Sequence, residues 1–373
     1  MYADLTSQDA LSIVILIILG LYSNSLRNRH KTLKVALLPP NYSPWRRLLN
    51  FGDDKSFLDM TGFNRYTFLR LEEAIYSDIL PDKRGNPSTL NRRDQLGLYL
   101  IYLSSRMQIK YLCAIFGAPP SCVSRYINDM MKLICKKLKN NVDARIQFPD
   151  QVKMAYYASL VQIREPLINN VIGFVDGLSI HVECSSYQSE QSAAYNGHTK
   201  DTMCNNVLAF SPTGKIISAC LNFPGSWHDS TVCSALIDHV IQNIGTYALC
   251  VDQGFPRSGD LFDKFVGPIS KRHRRMIAPI LRNDIMRRIE IYVSLRQASE
   301  WGMRALQGTF SRLKSRLTSN KTKRLLILLS VVLLHNFRTE YIGLNQIATV
   351  FNPEYEQYIN FDGYDRIANY FQL

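Results

Sequence analysis

Residues 171–183 read VIGFVDGLSIHVE, and here helical periodicity gives way to a strand. An apolar run meets Asp176-Gly177, and apolar residues then alternate through Leu178, Ile180 and Val182, the two-residue period of a half-buried strand. Downstream, NVLAFSPTGKIISACLNFP (206–224) predicts a hairpin about its Ser-Pro-Thr-Gly turn. GSWHDSTVCSALIDHVIQ (225–242) reads as a loop entering a helix, and YALCVDQGFP (247–256) as a short buried strand that ends at an acid. After a basic stretch, long helices return from Tyr292 to about Lys314 and from Arg324 to Arg338. Antiparallel strands, a helix, another strand and a closing helix describe a mixed α/β domain.

Upstream the pattern is helical. In FLDMTGFNRYTFLRLEEAI (57–75), Phe63, Tyr66, Leu69 and Leu71 are the expected apolar stripe, and a second helix follows from Leu90 to Met107. KYLCAIFGAPPSCVSRYINDMMKLICKKL (110–138) then gives a short helix ending at Gly117, a turn, and a second helix with Ser121 as its N-cap. With Leu112, Phe116 and Val123 facing inward, this is a helix-turn-helix pattern that offers Ser124, Arg125 and Asn128 to DNA; a plain αα-hairpin also fits. The apolar run ALSIVILIILGLY (10–22) is shorter than a bilayer span and lacks a basic leader, so a buried N-terminal helix is expected there, with no membrane role. These signals divide the chain into 1–55 (helix and connector), 56–145 (helical, DNA-binding), 146–345 (nuclease) and 346–373 (tail).

Composition narrows the partners. The 373 residues are 46% apolar and 20% charged, enough to bury a core. Net charge is +13, and the segment from Lys271 to Arg324 holds 15 Lys/Arg against three acids. Such concentration points to a polyphosphate surface, and Lys271, Arg272, Arg274, Arg275, Arg304, Arg312 and Lys314, with Arg125, are the expected phosphate contacts. Eight cysteines form no Cys-x-x-Cys pair and lie mostly in apolar runs. They read as small buried hydrophobes rather than as disulfides or a zinc site.

Two acids fall at the ends of apolar strands, Asp176 and Asp252. Carboxylates so placed are held by backbone geometry, and two on adjacent strands can share a hard divalent cation. Each alone also reads as turn chemistry after a strand. Glu300 adds a third, on a helix, with Arg296 and Arg304 four residues away on either side; an ion-paired surface Glu is its plainer reading. Asp229 starts the next helix, where an N-cap is expected, in a structural or supporting role together with His228. His228 and Trp227 either line the site, contact DNA or pack their loop, and His181 and Glu183 are neighbours of Asp176 rather than expected ligands.

In their order, Asp176-Gly, PGSWHDS, VDQGFP, Arg-x-x-x-Glu, FSRLKSR and LLHNFR resemble the segments of PIF/Harbinger-type transposases, over about Phe57 to Thr339. The resemblance implies an RNase H-like mixed-sheet core preceded by an all-α helix-turn-helix region. It also implies a metal-dependent DNA endonuclease that cleaves transposon ends and transfers the strand to target DNA. Asp176, Asp252 and Glu300 would be its catalytic and metal-holding triad, with two Mg²⁺ ions or Mn²⁺ in their place. The chain departs from many relatives at Gln307, three residues before Phe310, where they carry the glutamate. Glu300 lies two helical turns earlier on nearly the same face and keeps the Arg296 spacing, so it is taken as the third acid; a dead copy with Gln307 is the alternative. The family further implies double-stranded DNA as partner, a Myb-like DNA-binding protein, a homo-oligomer and a nuclear location, for which KRHRR (271–275) is a candidate signal. A domesticated, non-cleaving scaffold and a simple metal nuclease are the alternatives.

Overall fold

Alternation along the strand β1 (Val171–His181) sends Phe174, Leu178 and Ile180 to one apolar cluster and Val175 to another, and a register shift between Val171 and Gly173 puts Ile172 with Val175. Both faces are therefore covered. The computed structural model describes residues 13–20, 32, 34–77, 88–269, 274–275, 277–342 and 345–351.

Six helices come first: α1 (Pro44–Phe51), α2 (Asp54–Thr61), α3 (Arg65–Tyr76), α4 (Arg92–Ser104), α5 (Ile109–Phe116) and α6 (Pro120–Leu138). Then α7 (Gln151–Arg164) leads into β1. Next come α8 (Gln188–Ala194), β2 (Tyr195–Asn196), β3 (Asp201–Phe210), β4 (Ile216–Pro224), α9 (Asp229–Val232), α10 (Ser234–Asn243), β5 (Ala248–Cys250) and β6 (Phe265–Val266). Helices α11 (Arg282–Thr309), α12 (Lys321–Ile342) and α13 (Gln346–Phe351) close the described chain.

The sheet runs β2-β3-β1-β5-β6, with β4 also on β3. β3 pairs antiparallel with both β1 and β4, whereas β5 joins β1 in parallel and β6 joins β5 in parallel. The expected mixed α/β core is present, and the Ser211–Gly214 turn joins β3 to β4 with Ser211 N donating to the Lys215 carbonyl at 2.8 Å. Leu295, Ala298 and Leu306 of α11 pack over the face that carries Phe174, while Leu236 and Val240 of α10 cover the opposite one.

The six leading helices build onto the first face. Trp45 stacks on Phe116 at 5.2 Å between ring centroids and donates its Nε1–H to Asp94 Oδ1 at 2.9 Å. Leu112, Phe116 and Val123 are buried as their spacing predicts. Gly117 turns the chain between α5 and α6 at φ 65°, the left-handed region a side chain resists. Helix α12 is long and apolar enough to cross a membrane by length and composition. Its middle instead sits in the core, from Ile327 to Phe337, against α6 and β4.

Several expectations need correction. Residues 13–20 are helical, but Ile13 to Leu19 are 47–67% exposed, so this helix is not buried: the described core closes without it. In α3 the inward set is Thr67, Phe68, Leu71 and Ile75, and Tyr66 and Leu69 point out, because Asn64 caps the helix and Phe63 precedes it. Helix α6 starts at Pro120 with Pro119 as N-cap, not Ser121, since proline is pre-set for the first helical position. The helix from Tyr292 begins ten residues earlier, at Arg282, and breaks at Thr309 into a short 3₁₀ turn, Ser311–Lys314. Six cysteines are buried, Cys122 is half-buried and Cys184 exposed; all eight are free thiols.

Candidate active site

Phe174 of β1 pairs in parallel with Cys250 of β5. Asp176 lies two residues further along β1 and Asp252 two residues past the end of β5, on neighbouring chain paths. Asp176 faces α11. There the Ser299 hydroxyl lies 2.7 Å from the Arg296 carbonyl and 3.3 Å from Asp176 Oδ2. The Gly177 N–H donates to Asp176 Oδ1 at 2.8 Å. Burial pushes the Asp176 carboxyl above the ordinary range, against the backbone hydrogen bond from Gly177 and the Arg296 charge, and the neighbouring Asp252 pushes it further.

The third acid comes from α11, next to Ser299. Arg296 Nη2 bonds Glu300 Oε1 at 2.7 Å, and its Nε lies 3.8 Å from Asp252 Oδ1. Glu300 thus reaches the Asp252 loop through one guanidinium. Gln307, two turns further on, lies about 10 Å along the helix axis from Glu300.

Asp229 approaches from the other side. Alternation puts Gly177 on the face opposite Asp176, and a β-carbon there would meet Asp229 Oδ1 and Oδ2 at 2.6 Å. Only glycine lets this carboxylate lie against the strand. Asp229 is the first helical residue of α9, and the N-cap is His228; the expected N-cap role moves by one because His228 holds the extended backbone (φ −77°, ψ 156°) that a cap requires. Burial raises the Asp229 carboxyl, Asp252 raises it further, and His228 opposes both. Asp252 is therefore the acid felt from both faces of β1.

Two residues near these acids give no sequence signal: Ser299, which reads as a helix-interior serine, and Arg257, whose Nη2 donates to the Asp252 backbone carbonyl at 3.3 Å. Trp227 is 42% exposed and packs on Phe223 at 5.6 Å, with its carbonyl fixed by Asn205 Nδ2 at 2.6 Å. His181 pairs with Asp201 at 2.9 Å, away from Asp176, and Glu183 is exposed.

The basic residues separate into two groups. Arg125, Arg275, Arg304 and Lys314 are exposed, and Arg274 is half-buried with its Nε on the Ile269 carbonyl at 3.2 Å. Arg312 departs from the expectation of a phosphate contact. Its Nε and Nη2 donate to the carbonyls of Tyr102 and Met107 at 3.0 and 2.7 Å, and its guanidinium lies over the Tyr102 ring at 4.3 Å. It is an internal strut between the 311–314 turn and the end of α4. Lys271 and Arg272 lie outside the described residues.

The donors fit a hard divalent cation in kind: carboxylate oxygens, no thiolate or imidazole between Asp176 and Asp252, and mutual repulsion that a cation would relieve. Among the described residues, however, no three His, Cys, Asp or Glu side chains converge in ligand geometry, because Asp252 and Glu300 are turned to Arg296.

Residues 175–336 match the model of a family described as DDE superfamily endonuclease. The match begins one residue before Asp176, inside β1, and ends inside α12, so it covers most of the sheet, the acids, α11 and the first part of α12. It supports a DDE transposase-like family for this part of the chain, with a nuclease- or transposase-type function. The superfamily implies an RNase H-like core and dependence on divalent metal, and the strand order fits that core. No curated protein and no solved structure matches the chain.

Proposed function

We propose that the chain is a transposase of PIF/Harbinger type, cleaving phosphodiester bonds at transposon ends with a divalent metal and joining the freed strand to target DNA. The observation that carries this is the placement of Asp176 in β1 and of Asp252 two residues past β5, its parallel neighbour, inside the region that matches the endonuclease family. In this reading Asp176, Asp252 and Glu300 hold the metal, Mg²⁺ or Mn²⁺, as two ions. Bound there, it would activate a water and stabilise the leaving oxygen of the phosphodiester.

The chain's own residues prepare that site. Ser299 and the Gly177 N–H hold the two oxygens of Asp176 in place, and α11 brings Glu300 alongside. Asp229, its charge opposed by burial and by Asp252, supports the site from the other face of β1, together with His228. Exposed Arg125, Arg275, Arg304 and Lys314 neutralise phosphates of the duplex, with Lys271, Arg272 and Arg274 in the same role. The α5–α6 pair presents Ser124 and Arg125 as a helix-turn-helix reader. A Myb-like protein, a second copy of the chain and a nuclear location complete the proposal on the strength of the family resemblance.

The test is Asp252→Asn on the element's own terminal DNA. Mg²⁺-dependent cleavage should disappear while binding to the ends is kept, and unchanged cleavage would sink the assignment. One observation favours a second reading, a domesticated DNA-binding scaffold: the carboxylates are engaged by Arg296 rather than converging in ligand geometry. A wild-type chain that binds terminal DNA yet never cleaves it with Mg²⁺ or Mn²⁺ would establish that reading instead.

A further inference from the structure

Arg296 stands among the acids from a third direction. The spacing of four along α11 explains its 2.7 Å contact with Glu300. Its second partner is on another element: Asp252 Oδ1, 3.8 Å from Nε, belongs to the loop after β5. Its charge also acts on Asp176, as the third influence on that carboxyl. A planar guanidinium with donors in a fixed fork can bridge two carboxylates in this way, whereas an ammonium is a single point charge.

The neighbouring basic residues do a different job. Arg257 engages the Asp252 backbone carbonyl rather than its carboxylate, and His228 acts on Asp229. Among the described residues, the ion pairs of Asp252 and Glu300 are both with Arg296.

We propose that Arg296 is the resident counter-ion of the carboxylate cluster and a built-in competitor of the divalent cation: it holds Asp252 and Glu300 together in the metal-free protein and must release both before they hold a metal. This rests on the reading of Asp176, Asp252 and Glu300 as metal-holding residues. An oxygen facing a guanidinium cannot at the same time point its lone pair at a metal, and Mg²⁺ tolerates little deviation from its preferred geometry. Release is inexpensive. Both contacts are partly exposed, with the Asp252 and Glu300 side chains 46% and 43% accessible, and ion pairs of that kind are individually weak. Arg296 therefore tunes affinity rather than blocking the site.

The test uses the full chain, Arg296→Gln, Arg296→Lys and Asp252→Asn, with thermal melting and calorimetric titration of Mn²⁺. In Arg296→Gln the metal-free melting temperature should fall, because the carboxylates then repel unscreened. Its Mn²⁺-induced rise should grow, and the apparent dissociation constant should drop about fivefold, the scale set by losing two weak ion pairs. Arg296→Lys, which keeps the charge but can reach one carboxylate at a time, should lie between.

An arginine with a merely structural role would lower both melting temperatures equally and leave Mn²⁺ affinity unchanged, which overturns the proposal. Weaker Mn²⁺ binding in Arg296→Gln overturns it too, since the arginine would then assist the metal. Should Arg296→Gln not fold, Arg296→Lys decides alone: tighter binding supports competition, and unchanged or weaker binding refutes it. A Mn²⁺ response in wild type that Asp252→Asn loses and Arg296→Gln leaves unaltered overturns the counter-ion role alone. Absence of any response in wild type overturns the metal site itself, and the counter-ion role with it.

Discussion

Asp176 carries its charge where the fold resists one. Burial raises its carboxyl above the range it has in the unfolded chain, so ionisation is harder in the folded state. The sign follows from linkage: above the unfolded carboxylate range the charge lowers stability, and that loss is recovered as pH falls through the folded titration. Asp176→Asn should therefore stabilise the protein at pH 7 by about 1 kcal/mol, the usual gain on relieving a functional strain. The gain should vanish towards pH 3; equal melting temperatures of variant and wild type at pH 7 would show that this carboxylate is not strained. His335 gives the opposite case. It is fully buried, lies 3.1 Å from the Gly214 carbonyl through Nε2, and burial pushes it down to about 4. An unfolded histidine protonates near 6.5, so from about pH 6.5 to 4 the unfolded chain takes up a proton the folded one refuses. Stability should fall by roughly 3 kcal/mol over that window from this residue. His335→Gln keeps a donor for Gly214 without a titrating ring. Denaturant unfolding at pH 7 and pH 4.5 should show a flatter loss in the variant.

At the scale of elements, Asp94 joins two helices, its own α4 and α1. It is the third residue of α4, where its backbone N–H and the Asn91 side chain, and its carboxylate and the Asn91 N–H, close a capping box. The same carboxylate accepts from Trp45 Nε1 at 2.9 Å and Arg46 Nη2 at 2.8 Å while only 3% of its side chain is exposed. Asp94→Ala removes an acceptor and strands a buried indole N–H and a half-buried guanidinium. It should cost about 3 kcal/mol, read as a shift of the urea midpoint at constant slope. This junction was invisible in the sequence because Trp45 and Asp94 are 49 residues apart and each alone reads as an ordinary helix residue. By contrast β1, the β3–β4 hairpin and β5 were legible, since period-two alternation and turn residues are local signals. Helix α3 was misphased by counting Phe63, which lies ahead of the Asn64 cap, into its stripe. In the site, Asp252 follows its strand as expected, whereas Asp176 sits in the middle of the eleven-residue β1 rather than at its end, and spacing from Arg296 favours Glu300 over Gln307. What periodicity could not reveal was the face of approach: Asp229 lies against Gly177, across β1 from Asp176.

At the scale of the whole molecule, the leading helices and the sheet share one apolar cluster. The boundary expected near residue 145 separates a helical region from the sheet, yet a single apolar cluster runs from Trp45 through Leu98, Ile127 and Phe174 to Phe351. Polar ties cross the same boundary: Tyr99 Oη meets Ser330 Oγ at 2.6 Å, Arg338 Nε donates to the Gly62 carbonyl at 2.9 Å, and Arg312 grips the end of α4. Helix α12 is shared, with α6 on one side and β4 on the other. Removing residues 34–145 would leave Ile327, Val331 and Leu334 facing water on a helix already apolar enough to pass for a membrane span. A fragment from 146 to 351 should therefore aggregate or lack a cooperative melt, even though it contains every acid of the candidate site. The full chain should unfold in one transition, with calorimetric and van't Hoff enthalpies equal. Two resolved transitions, or a soluble fragment with a sharp melt of its own, would mean that the shared core does not couple the halves. One transition would mean that a bend of the α5–α6 pair and a shift of α11 at the carboxylates draw on the same packed interior.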